Sequence, residues 1–330
     1  MKLLRHRRYF QSGMSSFCIQ FPGDTPMTSI ITNNSAMAAL QTLQNISSNL
    51  QDTQNAVSSG LRISKASDNA AYWSIATSMK SDNSAIGAVS DALGLGAAKV
   101  DTASTAVTSA IDIVGQIKDK LATAMEGSVD KKSVQEEIGQ LQQQLQSVAQ
   151  SASFNGENWV MAANNGSASV VSSFIRGTNG TVSVSTTSYA FNTGATGNVL
   201  FGANAAGTID TASGILGTKD TTVGASVFSL DISSMTSGQI SSALNMVQTA
   251  LNSMTSLGSK LGSISSRIDL QTSFASSLSD SIQSGVGKLV DADMEQESSK
   301  LSALQTQQQL AIQSLSIANS STQSILSLFR

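Results

Sequence analysis

The chain is poor in the side chains that catalysis and metal binding usually need. Of its 330 residues only 12% are charged and 5% aromatic. The one His (His6), the one Cys (Cys18) and both prolines (Pro22, Pro26) all fall within the first 26 positions. Residues 27–330 therefore hold no imidazole base, no thiolate nucleophile and no soft metal ligand. A disulfide scaffold is excluded as well. The proline-free stretch permits long uninterrupted helices. Few aromatics and many small residues suit thin helical layers better than a thick globular core.

Charge removes further classes. The whole chain carries −3, and the first 26 residues contribute four basic residues and one acid, so the remainder carries −6. A thin spread of negative charge argues against a nucleic-acid partner. No apolar run reaches the roughly 18–20 residues of a membrane span. There is no P-loop and no dinucleotide fingerprint, and no cofactor is expected. The grouped carboxylates Glu136–Glu137 and Asp291–Asp293 read as solvated helix surface rather than a catalytic pair, so the expectation is a protein without enzymatic activity. Residues 1–26 are basic but lack the continuous apolar stretch of a secretory signal. They read as a non-native leader, with Met27 as the true start.

Periodicity is the positive signal. Stepping by seven from an aromatic pair gives Tyr72, Met79, Ile86, Leu93, Val100, Val107, Val114 and Leu121, all apolar or aromatic. Ile75, Val89, Ala103, Ala110, Ile111 and Ile117 add intermediate positions. This is a sustained coiled-coil seam. One helix over 72–125 would run ~80 Å, so other long helices must cover it. Val134, Ile138, Leu141, Leu145 and Val148 supply one, after a break at EGSVDKK (126–132). Ile240, Leu244, Val247, Leu251, Met254 and Leu261 supply another, with Gly258 in the remaining slot. That pattern skips at Ile264 and resumes through Ile268, Ala275, Leu278, Ile282 and Leu289, a skip that alters supercoil without ending it.

The two ends of the chain match each other. Ala36, Leu40, Leu43, Leu50 and Val57 form a seam near the amino end, and Leu301, Leu304, Ala311, Leu315, Ala318, Ile325 and Phe329 form one near the carboxyl end. Both ends are rich in Ser, Asn, Thr and Gln. Since Ser, Asn and Thr are mediocre helix formers, these helices depend on packing. Both are expected to be poorly ordered in an isolated chain and helical against partners. Between the helical halves, residues 162–235 are Gly-rich. SVVSSFI, TVSVS and VFSLDI, where Phe228, Leu230 and Ile232 alternate, read as strands. Asn155-Gly156 marks a turn just upstream. The fold class is mainly α: a long coiled-coil helical bundle from both chain halves with a small β-rich central insertion.

Several segments resemble bacterial flagellin. MTSIITNNSAMAALQTLQNISSNL (27–50) is similar to that family's amino terminus. SSGLRISKASDNAAYWSIA (58–76) resembles its Ser-Gly-Leu-Arg-Ile signature followed by Asp-x-Ala-Ala. SASFNGENW (151–159) looks like the turn after its second long helix. LSALQTQQQLAIQSLSIANSSTQSILSLFR (301–330) resembles its carboxyl-terminal helix. Tyr72-Trp73 in place of the enterobacterial Gly-Leu looks like the α-proteobacterial branch.

The resemblance implies a secreted structural subunit that polymerises into the flagellar filament for swimming motility. A hook–filament junction protein, which shares the terminal helices, is the alternative. It implies an N-terminal inner-tube helix (27–58), N-terminal rod helices and turn (59–160), a variable exposed domain (161–235), a C-terminal rod helix (236–290) and a C-terminal inner-tube helix (291–330). Leu40, Leu43, Leu50, Val57, Leu301, Leu304, Leu315 and Ile325 would serve assembly. In the connector, Gly60 lets the chain leave the first helix, and Ser67 or Asp68 is expected to cap the next. Arg62, Lys65 and Asp68 would set register between subunits, each exposed pair contributing only ~0–1 kcal/mol. The implied partners are further copies of the chain, in a helical homopolymer that can be mixed with other flagellins. A flagellar export chaperone and the cap and junction proteins complete the set, with export through the type III apparatus.

Overall fold

A computed structural model describes residues 32–177, 179–204 and 207–327, with the side chains of 322–327 outside the description. The expected leader (1–26), Met27 and Phe329 fall outside the described residues. In chain order the elements are α1 (Asn34–Ser59), α2 (Ala70–Thr123), α3 (Lys131–Ser151), β1 (Ser153–Phe154), β2 (Glu157–Asn158), β3 (Met161–Ala162), β4 (Ser167–Arg176), β5 (Val182–Ala190), β6 (Phe201–Ala203), β7 (Ile209–Asp210), α4 (Ser237–Val290) and α5 (Met294–Ser327). The chain divides into two compact units. The terminal unit takes residues up to Ser64 and from Ala292 onward; the central unit is Lys65–Asp291.

In the terminal unit, the Asn33 side chain accepts from the Ala36 amide and starts α1. Gly60 ends it in the left-handed region, φ 70°, returning its N–H to Ala56. Such a reversal favours a residue without Cβ. Helix α5 runs antiparallel to α1. Asn33 Nδ2 donates to the Ala318 carbonyl at 2.9 Å at one end. The Ala292 amide donates to the Gly60 carbonyl at 2.9 Å at the other. Asp293 caps α5, accepting from the Glu295 and Gln296 amides.

In the central unit, α2 and α4 are 54 residues each and pack antiparallel. Cross-contacts fix their register. Gly258 faces Val107, Gly285 faces the Met79 terminal methyl, Ser279 Oγ donates to Asn83 at 2.6 Å, and Lys118 donates to Gln248 at 2.9 Å. Glycines on α4 thus admit larger side chains of α2. Asp130 caps α3, which packs along α2, with Lys120 paired to Glu137 across them.

After α3, the β1–β2 hairpin turns on Asn155 (φ 51°) and Gly156 (φ 82°), the positive-φ pair that a two-residue turn demands. Strands β4 and β5 form the longest ladder, with an irregularity between Val171 and Ser173. Val170 of β4 seats on Gly96 of α2, where a Cβ would meet its methyl at 2.3 Å. Arg176 pairs with Asp82 and donates to Ser78 at 2.9 Å; Arg267 donates to Thr187 at 3.1 Å. Trp159, Tyr189 and Phe191 cluster, Trp159 stacked on Tyr189 at 5.7 Å.

VFSLDI (227–232) is not a strand. Its apolar side chains Val227, Leu230 and Ile232 are buried, but the Phe228 amide donates to the Leu216 carbonyl, and side chains of α3 take several of its other backbone groups. Gln142 Nε2 donates to the Val227 and Leu230 carbonyls, Gln135 Nε2 donates to Leu230, and Gln135 Oε1 accepts from the Ile232 amide. Two glutamines take much of the place of a neighbouring strand, so the segment is buried without a ladder, with Val227 rather than Phe228 fully inside.

Candidate assembly surfaces

The terminal unit is a two-helix coil whose inward positions step by three and four. On α1 they are Ala36, Ala39, Leu43, Ile46, Leu50, Thr53 and Val57; on α5 they are Leu301, Leu304, Gln308, Ala311, Leu315 and Ala318. Leu304, Ala311 and Thr53 are buried and the others half-buried. Leu40, expected in this seam, is 45% exposed. The 3-4 alternation runs through Ala39 and rotates Leu40 outward. The side chain of Ile325 lies outside the described residues.

Two helices leave the flanks of their own seam open. One flank is a groove of about 640 Å³ lined by Met37, Leu40, Ile312 and Leu315. The other, about 280 Å³, is lined by Ala39, Ile46, Leu310 and Ala311. Met37, Leu310, Ile312 and Ile317 are each more than half exposed. Sequence reading missed these four because they fall between the heptad positions. Apolar residues off the seam phase were the available signal.

In the connector, Lys65 and Asp68 close a turn: the Lys65 amide donates to Asp68 Oδ2 at 3.1 Å, and the Asp68 amide to the Lys65 carbonyl at 3.1 Å. Asp68 is thereby occupied, and neither it nor Ser67 caps α2. The cap is Asn69, whose Oδ1 accepts from the Ala71 and Tyr72 amides. Gly60 shapes the end of α1, and Arg62 is exposed.

Of the seam on α2, Ile86, Leu93, Val100, Val107, Val114 and Leu121 are buried and Met79 half-buried. Tyr72 is 44% exposed instead. Continuing the antiparallel register from Met79–Gly285 places Tyr72 past Val290, where α4 stops, so no helix of this unit is level with it. Trp73 and Ile75 beside it are exposed too, as are Leu270 and Phe274 on α4.

The ionised groups are structural. Hydrogen bonds hold carboxyls below their usual range: Asp130 through the Lys132 amide and Ser133, Glu157 through Lys99, and Asp210 through Ser213. Asp220 and Asp231 are lowered by neighbours in their own turns. Glu137 is paired with Lys120. Asp291 and Asp293 lie between α4 and α5 rather than on a helix face. Among the described residues, no group of His, Cys, Asp or Glu could hold a metal ion, and no helix is long and apolar enough to cross a membrane.

Two family models match, one described as the bacterial flagellin N-terminal helical region, over residues 30–165, and one as the C-terminal helical region, over 244–329. The chain is 45% identical to Flagellin A of Rhizobium meliloti, 46% to Flagellin C of Rhizobium meliloti strain 1021 and 47% to a flagellin of Brucella melitensis. Each similarity covers 92% of this chain and the whole of the relative.

Proposed function

The chain belongs to the bacterial flagellin family, in its α-proteobacterial branch, and from that premise we propose which surfaces build the polymer. Flagellins are structural proteins, and the function is that of a subunit of the extracellular flagellar filament. The terminal helices, 27–58 and 291–330, serve as inner-tube elements. The segments 59–160 and 236–290 serve as rods, and 161–235 faces solvent. Leu43, Leu50, Val57, Leu301, Leu304 and Leu315 close the coil within a subunit. Leu40 has a different role, shared with Met37, Leu310, Ile312 and Ile317: these side chains meet neighbouring copies. Catalysis has no part in this.

The open grooves on the α1–α5 coil carry the reading. A fully buried large aliphatic side chain gains ~1.5–3 kcal/mol. Roughly half of that is still available at each of these five residues, so stacking yields about 5 kcal/mol per subunit. A surface that binds a different surface on the next copy does not close on itself and propagates as an open helix. An export chaperone would shield the same apolar positions before assembly, and cap and junction proteins would occupy them at the filament's ends.

Removing residues 301–330 tests the reading. The truncated chain should keep the helical signal and melting of its central unit yet form no filaments by electron microscopy. Filaments from that chain would refute it.

A further inference from the structure

Among the described residues, the long helices of the central unit carry exposed apolar patches that nothing in the unit covers, and two of them are unlike each other. One is at the start of α2: Tyr72, Trp73 and Ile75, exposed to 44%, 38% and 48%. The other is on α4, where Leu270 and Phe274, four residues apart on one face, are exposed to 70% and 60%. Among the described residues, Leu270 and Phe274 are the most exposed of this unit's large apolar side chains, and neither patch is covered by the α2–α4 packing.

We propose that the two patches bind each other between neighbouring copies, Tyr72 and Trp73 of one subunit seating on Leu270 and Phe274 of the next. The occupant is a second copy because the chain is a filament subunit, and both patches present aromatic with aliphatic side chains. Aromatic rings meet an aromatic and an aliphatic side chain, the combination that favours edge-to-face packing. Charges agree as well. Lys80 stands one heptad beyond Trp73 on the same helix face, and Asp269 adjoins Leu270. Both are exposed, and among the described residues neither has an ion-pair partner. Two unlike patches make the contact heterologous, so it extends indefinitely along the polymer rather than closing a dimer.

A subunit cannot satisfy the pairing itself. From the register of Met79 with Gly285 and Val107 with Gly258, Phe274 is level with residue 90 or so of α2. The patches of one copy are thus about 25 Å apart along the rod. Neighbours joined this way are staggered by about that distance.

Cysteine cross-linking reads the contact directly, because a disulfide needs Cα atoms within about 7 Å and residues 27–330 are free of Cys. In a Cys18→Ser background, Trp73→Cys and Phe274→Cys chains are mixed one to one as monomers and copolymerised, then oxidised beside filaments of each chain alone. The mixture should give covalent dimers at least tenfold above either chain alone, and the double variant a ladder. Filaments in which the mixture cross-links no better than the single variants would overturn the pairing. A second readout needs no cysteine. The chain has two Trp residues, and Trp159 is buried at 2% exposure. Acrylamide quenching of wild type minus Trp73→Phe therefore reports Trp73, and should fall several-fold on polymerisation. Unchanged quenching in filaments rejects the contact. The pairing presupposes the filament reading, and the two fail separately: no wild-type filaments at all sinks the former premise, whereas filaments with an accessible Trp73 sink only the pairing.

Discussion

Replacing Leu304 with Ala puts a number on the terminal coil. Leu304 is 8% exposed and, counting inward from the Ala292–Gly60 bond, sits between Ile46 and Leu50 of α1. Truncating a buried Leu costs ~2–5 kcal/mol. A two-helix seam open on both flanks has room to collapse, which favours the lower end, about 2–3 kcal/mol. If the coil is formed in the polymer and largely unformed in the free chain, the whole loss falls on assembly. With tenfold per 1.4 kcal/mol, the critical concentration for polymerisation should rise about 30- to 100-fold. Sedimentation of filaments across a concentration series measures this. Ser302→Ala, two residues away on the exposed face, should shift it less than twofold. Melting of the central unit should not change in either variant. A rise below threefold for Leu304→Ala, or a matching loss of stability in the dilute chain, would refute the reasoning.

Two further predictions concern the central unit. Gly96→Ala drives a methyl into Val170 and should destabilise the unit by ~1–3 kcal/mol; adding Val170→Ala should recover part of that, whereas additive losses in chemical denaturation would mean the strand does not seat there. Glu157, held below its usual range chiefly by the Lys99 hydrogen bond, stabilises the fold while charged, so its contribution is complete above the ordinary value of 4.5 and fades as pH falls below it. The melting-temperature gap between wild type and Glu157→Gln should therefore be widest near neutrality and vanish in strong acid; a gap that widens on acidification contradicts the assignment.

The long helices were legible because heptads repeated over many turns leave one consistent solution, and Ile86 through Leu121 all turned inward. Legibility failed where a single residue had two plausible phases. Ala36 to Leu40 and Ala36 to Ala39 are both helical steps, and only the continuation through Ile46 and Thr53 selects Ala39. Tyr72 fits its heptad perfectly and is still uncovered, because burial depends on how far the partner helix extends, which no local pattern encodes. VFSLDI misled for a related reason: its apolar residues signal burial, while the hydrogen-bond partners, Gln135 and Gln142, lie some ninety residues upstream. Asn69 over Asp68 as the cap was equally a matter of context, since the Lys65 turn claims the aspartate first.

Amide hydrogen exchange of residues 34–59 and 294–321, compared between dilute monomer and assembled filament, puts the central claim to its most direct test. Exchange should be fast in the monomer while the central unit is protected, and slow by orders of magnitude once copies cover the grooves around Met37 and Ile312. Terminal helices already as protected in the monomer as in the filament would contradict it.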